Sequence, residues 1–265
     1  MFDYHMHTTY SPDGKMTVDE ACTTALRMGL KYIAITDHID FFPDDPTGEW
    51  ILSDIPGYMN AIEYARSIYR DLDIARGLEI GYTPESFGTM AKMVMATNTD
   101  FVIGSAHLVN GFDPYWPLYF ENKTKDEAYR EYLLYLYNGI RPMSSICNVI
   151  GHLDYVVRRA PYEDTKMRHS DFQNILDDIL NTIISLGMGI EINTYGYRTG
   201  PEPMPNYSII SRYRQLGGEI LTVGSDAHDT SHVGHGISDA IMLAKEAGFR
   251  FITVFHNGKP EFLPI

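Results

Sequence analysis

Cysteine is nearly absent, with Cys22 and Cys147 the only two among 265 residues. They are too few and too far apart to staple a domain of this size, which excludes a disulfide scaffold and fits a reducing compartment. Long apolar runs are missing as well. No window approaches the roughly 18 apolar residues of a membrane span, and the start, Met1-Phe2-Asp3, lacks the basic and apolar regions of a secretory signal. A cytoplasmic protein with no membrane partner is therefore expected. Basic residues are scarce too: 21 Lys and Arg face 35 Asp and Glu, a net charge of -14. That balance argues against a broad nucleic-acid footprint, because phosphate backbones attract basic faces. An anionic substrate would have to meet cations concentrated locally, as metals or a few arginines. Linker-like Gly/Ser runs, low-complexity tracts and close repeats are also lacking, so residues 1–265 read as one domain, a length that α/β barrels reach without splitting.

What the chain does have is ten histidines and a repeating architecture. Segments rich in Ile, Val and aromatic residues occur at 2–7, 31–38, 73–82, 100–107, 148–155, 187–195 and 218–228, with an eighth at 250–255. Such composition suits strands buried on both faces. Helical segments separate most of them. Thr17-x-x-Glu20 and Thr124-x-x-Glu127 have the form of capping boxes, and Phe172, Ile175, Leu176, Ile179, Leu180, Ile183 and Ile184 make one apolar helical stripe that ends at Gly187 and Gly189. Tyr129, Tyr132, Tyr135 and Tyr137 read as helix-packing residues. Alternating strand and helix over about seven units points to a (β/α) barrel or an open doubly wound sheet.

The stretch "YHMHTTYSPDG" (4–14) puts two histidines one residue apart, which in a strand point to the same side. Alone, that is an ordinary polar strand end. Its meaning changes because every one of the first seven strands ends in metal-competent or hydrogen-bonding residues: His5 and His7; Asp37 and His38; Glu79; His107; His152 and Asp154; Glu191 and Asn193; Asp226 and His228. In a barrel all those ends meet at one mouth. His5, His7, His38, His107, His152 and His228 would offer nitrogen, and Asp13, Glu79 and Asp226 oxygen. Nine donors exceed the needs of one ion, and a mixed N/O set suits Zn, Mn, Fe or Co better than Ca or Mg. Such a centre generates hydroxide near neutral pH and neutralises charge on a phosphoryl or carbonyl oxygen, so metal-assisted hydrolysis is the expected reaction class. Arg198, in "EINTYGYR", and Arg158 or Arg159, after "GHLDYVV", are placed to meet phosphate at the mouth. His232 could contact phosphate or protonate the leaving alkoxide. His169, His235 and His256 have no comparable placement. Ser105 and Ser225 lie outside any nucleophile-elbow pattern.

Taken together, "HMHTTYSPDG", "AITDH", "GLEIGY", "GSAH", "GHLDY", "EINTYGYR" and "GSDAH" resemble, in order along nearly the whole chain, the metal motifs of the polymerase-and-histidinol-phosphatase (PHP) superfamily. The "GSAH", "GHLDY" and "EINTYGYR" elements are most similar to its histidinol-phosphate phosphatase members. The resemblance implies a distorted TIM-like (β/α)7 barrel with three divalent metal ions at the C-terminal strand ends. His5, His7, Glu79 and Asp226 would hold one ion, Glu79 would bridge to a second held with His107 and His152, and Asp13, His38 and His228 would hold the third. The implied reaction is attack of a metal-bridging hydroxide on a small phosphate monoester, L-histidinol phosphate, releasing L-histidinol in histidine biosynthesis. Glu79, Asp226, His232 and Arg198 would be the catalytic residues and Arg158, Arg159, Arg198 and His232 the substrate contacts. Another phosphate ester, such as a phosphotyrosine protein or a nucleotide, and a non-catalytic metal-binding domain remain the alternatives. An amidohydrolase fits less well, because its carboxylated lysine has no counterpart at a strand end.

Overall fold

The computed structural model describes residues 1–42, 48, 50–52 and 54–265. The chain begins with β1 (Phe2–Asp3), α1 (Val18–Arg27), β2 (Tyr32–Ile35), β3 (His38–Ile39), α2 (Ile55–Ile68), β4 (Asp73–Gly81), α3 (Phe87–Ala96) and β5 (Phe101–Ser105). It continues with α4 (Lys125–Met143), β6 (Val149–Ile150), α5 (Gln173–Ser185), β7 (Gly189–Asn193), α6 (Gly196–Thr199), α7 (Tyr207–Gln215) and β8 (Leu221–Gly224). The last elements are α8 (Ile237–Glu246), β9 (Phe251–His256) and β10 (Lys259–Pro264).

Seven parallel positions form the barrel, in the order β1, β2 with β3, β4, β5, β6, β7, β8. β2 pairs with the first half of β4 and β3 with its second half, where His38 is the register partner of Glu79. Backbone bonds return β8 to the start of the chain: Tyr4 N–H donates to the Val223 carbonyl at 2.9 Å, and Asp226 N–H to that of His5 at 2.8 Å. Both capping boxes form, each contributing about 1 kcal/mol. The α5 stripe buries Leu176, Ile179, Leu180 and Ile183 against the barrel, at about 2 kcal/mol per side chain. Tyr129 and Tyr132 are buried on α4, as core residues.

Two strands are shorter than their apolar content suggests. β1 pairs only over Phe2–Asp3, because the chain beyond it divides its bonds between neighbours: Met6 meets Thr36 on one side and Ala227 on the other. β6 stops at Ile150, since His152 N–H turns away to the Glu191 carboxylate and the chain winds into a tight turn at Tyr155–Val157. Segment 250–255 stands outside the barrel: β9 and β10 form an antiparallel hairpin. It lies across the N-terminal strand ends, where Leu221 N–H donates to Thr253 Oγ1 and Asn257 N–H to Asp100.

Candidate metal centre

Because parallel strands all deliver their C-terminal ends to one side, the side chains that follow them converge. His5 and His7 leave the β1 extension on one face, with their Nε2 atoms 3.0 Å apart. Glu79 Oε2 lies 3.0 Å from His5 Nε2 and 3.4 Å from His7 Nε2. Asp226 Oδ1 stands 3.9 Å and 3.5 Å from the same two nitrogens. Asp226 adopts φ +54, a left-handed conformation that a short polar residue tolerates better than most. The other Glu79 oxygen, Oε1, is 3.2 Å from His107 Nε2 and 2.9 Å from His152 Nε2. Further out, His228 Nε2 is 2.9 Å from Asp13 Oδ2, with His38 Nε2 at 4.0 Å, and the His7 ring stacks between His38 and His228. All nine candidate donors are thus brought into one cluster around Glu79.

Four residues outside the nine candidate donors, Glu191, Asp40, Ser105 and Asp37, brace the cluster and its loop. Glu191 accepts from His5 Nδ1 at 2.6 Å, and Asp40 from His107 Nδ1 at 2.8 Å. Each contact fixes the tautomer that leaves the Nε2 lone pair facing inward, as outer carboxylates do for metal-ligating histidines. Asp40 also reaches His38 Nδ1 at 2.9 Å, so it could itself be a donor. Ser105 Oγ donates to Glu79 Oε1 at 2.6 Å. Asp37 accepts from Thr8 and Ser11, tying down the loop that carries Asp13. The signal for Asp40 was present, two residues beyond His38, but a carboxylate that orients a ring shows no metal-ligand spacing. Two glycines leave room for this packing. A Cβ at Gly81 would lie 1.5 Å from Asp40 Oδ1, and one at Gly224 would lie 2.2 Å from His5 Cβ.

The donor set fits divalent ions. Separations of 2.9–3.9 Å between inward-facing atoms are those of ligands each about 2.0–2.2 Å from a shared ion. The electrostatics agree. Burial works against every charge in the cluster, but mutual attraction outweighs it. Glu191, Glu79 and Asp226 hold His5 well above the ordinary imidazole range, and Asp226 and Glu79 raise His7 to about 9. His5, His107 and His38 hold Glu79 well below the carboxylate range. Carboxylates this concentrated bind protons on their imidazole neighbours unless a metal cation takes that place.

A cavity of about 950 Å³ opens above the cluster, lined by Glu79, His107, His152, Asp226 and His228 below and by Arg158, Arg198 and His232 above. Arg198 donates to the carbonyls of Ser225 and Asp226, and its Nε is buried without a partner. The Arg158 guanidinium lies 3.6 Å over the Tyr195 ring and 3.9 Å from Asp226 Oδ2, its Nε likewise unpartnered. His232 pairs with Asp229 at 3.2 Å, while burial and Arg198 lower its pKa. Arg159 is exposed, bonds the Tyr115 hydroxyl and lies outside the cavity lining. Lys15 lines the rim beside Asp13, a cation that the sequence motifs gave no reason to single out.

Residues 3–195 match the PHP domain family. The chain belongs to that family. This PHP chain is 31% identical to the histidinol-phosphatase of Lactococcus lactis over 97% of its own length and 95% of the relative's. It is also 31% identical to a probable histidinol-phosphatase of Clostridium acetobutylicum, over 94% and 95%. A crystal structure of the L. lactis histidinol phosphate phosphatase, complexed with zinc, L-histidinol and phosphate, matches the PHP chain with a TM-score of 0.89 at 30% identity, over 98% of both chains. Asp226, His228 and Arg198 lie beyond the 3–195 match, in a stretch that the full-length relatives also cover.

Proposed function

We propose that this protein is a metal-dependent phosphomonoesterase that hydrolyses L-histidinol phosphate to L-histidinol and phosphate, with residues 1–265 acting as one PHP-type barrel domain. The observation that carries the reading is the convergence of inward-facing Nε2 atoms on the two oxygens of Glu79, beneath two guanidiniums in one cavity. The full-length likeness to histidinol-phosphatases supports the substrate. His5, His7, Glu79 and Asp226 would hold one divalent ion, Glu79, His107 and His152 a second, and Asp13, His38 and His228 a third, with zinc the ion bound in the L. lactis relative. Ions there would supply hydroxide at neutral pH and neutralise charge on phosphoryl oxygens.

The chain's own residues do the rest. Arg198, anchored through the carbonyls at the β8 end, and Arg158, braced on Tyr195, present N–H groups to the phosphate oxygens, where charge builds as the ester P–O bond breaks. Arg159 faces outward and drops from the phosphate set. His232, whose pKa burial and Arg198 lower, lines the same cavity and would contact the phosphate. Both thiols are buried, and the Ser105 hydroxyl is engaged as a donor to Glu79, so displacement is taken as direct. Two buried, unpaired thiols, Cys22 and Cys147, fit a cytoplasmic enzyme.

The test is phosphate release from L-histidinol phosphate beside a phosphotyrosine peptide, a nucleoside monophosphate and phenyl phosphate, with metal-replete and chelated protein. Metal-dependent preference for histidinol phosphate is expected. Preference for another ester would discard the biosynthetic substrate, and inactivity on all four with metal bound would favour a non-catalytic metal-binding domain.

A further inference from the structure

Among the described residues, six carboxylates line the cavity: Asp13, Asp40, Glu79, Asp113, Asp226 and Asp229. Five of them face a cation or imidazole of the chain: Asp13 meets His228, Asp40 and Glu79 meet His107, Asp226 meets Arg158, and Asp229 meets His232. Asp113 differs. Its Oδ1 accepts from the Tyr115 backbone N–H at 2.7 Å and from the Tyr155 hydroxyl at 3.4 Å. Among the described residues, no Lys, Arg or His nitrogen comes within 4.0 Å of it. Burial raises its pKa above the ordinary carboxylate value, which His107 offsets only through space.

Its position is specific. The Tyr155 ring that contacts Asp113 lies 5.0 Å from the His152 ring and 5.4 Å from that of His107, so Asp113 stands one tyrosine away from the cluster. Phe112, Tyr115, Trp116 and Leu118 line the same cavity, with Phe112 46%, Trp116 61% and Leu118 57% exposed. A carboxylate short of a counter-ion beside aromatic walls is the chemistry that recognises an organic cation, through ion pairing and cation–π attraction.

We propose that Asp113, with the aromatic segment 112–118, reads the cationic amine or imidazolium of the phosphate ester and thereby selects which monoesters the cluster hydrolyses. The assignment rests on the phosphomonoesterase reading above. It explains how an acidic protein favours an ester whose organic half is positively charged.

The test compares wild type with Asp113→Asn as metal-replete enzymes, on L-histidinol phosphate and on phenyl phosphate, which carries no cation. Asn keeps an acceptor for the Tyr115 N–H and removes only the charge. KM for histidinol phosphate should rise about tenfold or more, the loss expected for a hydrogen-bonded charge. The kinetics on phenyl phosphate should stay unchanged, inhibition by free L-histidinol should weaken in parallel, and Asp113→Glu should recover part of the preference. Equal losses on both esters, or an undiminished preference in Asp113→Asn, overturn the assignment and leave the phosphatase reading standing. A wild type that hydrolyses phenyl phosphate without preferring histidinol phosphate overturns both. Trp116→Ala, at an exposed side chain, covers the case in which Asp113→Asn does not fold: a narrowed preference supports the subsite, and unchanged selectivity counts against it.

Discussion

At the base of the barrel, Asp100 accepts from Arg76 Nε and Nη2 at 3.0 and 3.1 Å, from Arg66, and from the backbone N–H groups of Arg76 and Asn257. At the mouth, Glu79 is equally buried but is surrounded by five imidazoles, those of His5, His7, His38, His107 and His152. The base therefore satisfies its carboxylate with permanent cations of its own chain, which stabilises the fold. The mouth gathers imidazoles and carboxylates in groups that could hold a metal ion. Buried charge at one end is matched by arginines, and at the other by imidazoles that are also metal-competent donors.

Substitution can break this contrast from either end. Glu79→Gln should lower kcat by about a thousandfold or more while the melting temperature changes little, and removal of metal by a chelator should abolish the same activity until metal is restored. Near-native turnover by either route would remove the mouth from catalysis. Asp100→Ala should do the converse, costing about 3 kcal/mol of stability in a denaturant titration by stranding two arginines, with kcat/KM near wild type. Gly81→Ala sharpens the comparison, because its methyl collides with Asp40 and frees His107 to turn. Activity and metal affinity should fall about 10- to 100-fold, as when an outer-shell partner is lost. Arg198→Ala should raise KM about tenfold with metal content intact, and unchanged kinetics would take Arg198 off the phosphate. The smallest effect is expected far from both ends, where Thr124→Ala should cost about 1 kcal/mol and leave turnover alone.

Much of the mouth was legible because metal-competent residues recur where strands stop, a pattern that survives errors of a few residues in the boundaries. His5, Glu79, His107 and Asp226 could each be placed that way. Strand length was not legible. Apolar content runs on through residues 4–7 and 151–155, but a ladder needs backbone partners, and there the amides serve Thr36, Ala227 and Glu191 instead. Asp40 and Glu191 were visible as residues and hidden as roles, since orienting an imidazole depends on tertiary distance alone. Arg158 and Arg159 could not be separated in sequence. The tight turn at Tyr155–Val157 sends the first over Tyr195 and the second toward solvent.

The hairpin of β9 and β10 has a kinetic consequence. By covering the base it makes the mouth the doorway for traffic in both directions, so the alcohol and the phosphate must depart along the path by which the next ester arrives. On the proposed reading, inorganic phosphate left behind on Arg158 and Arg198 would occupy the place of the incoming ester, and turnover would be throttled by the accumulation of what it makes.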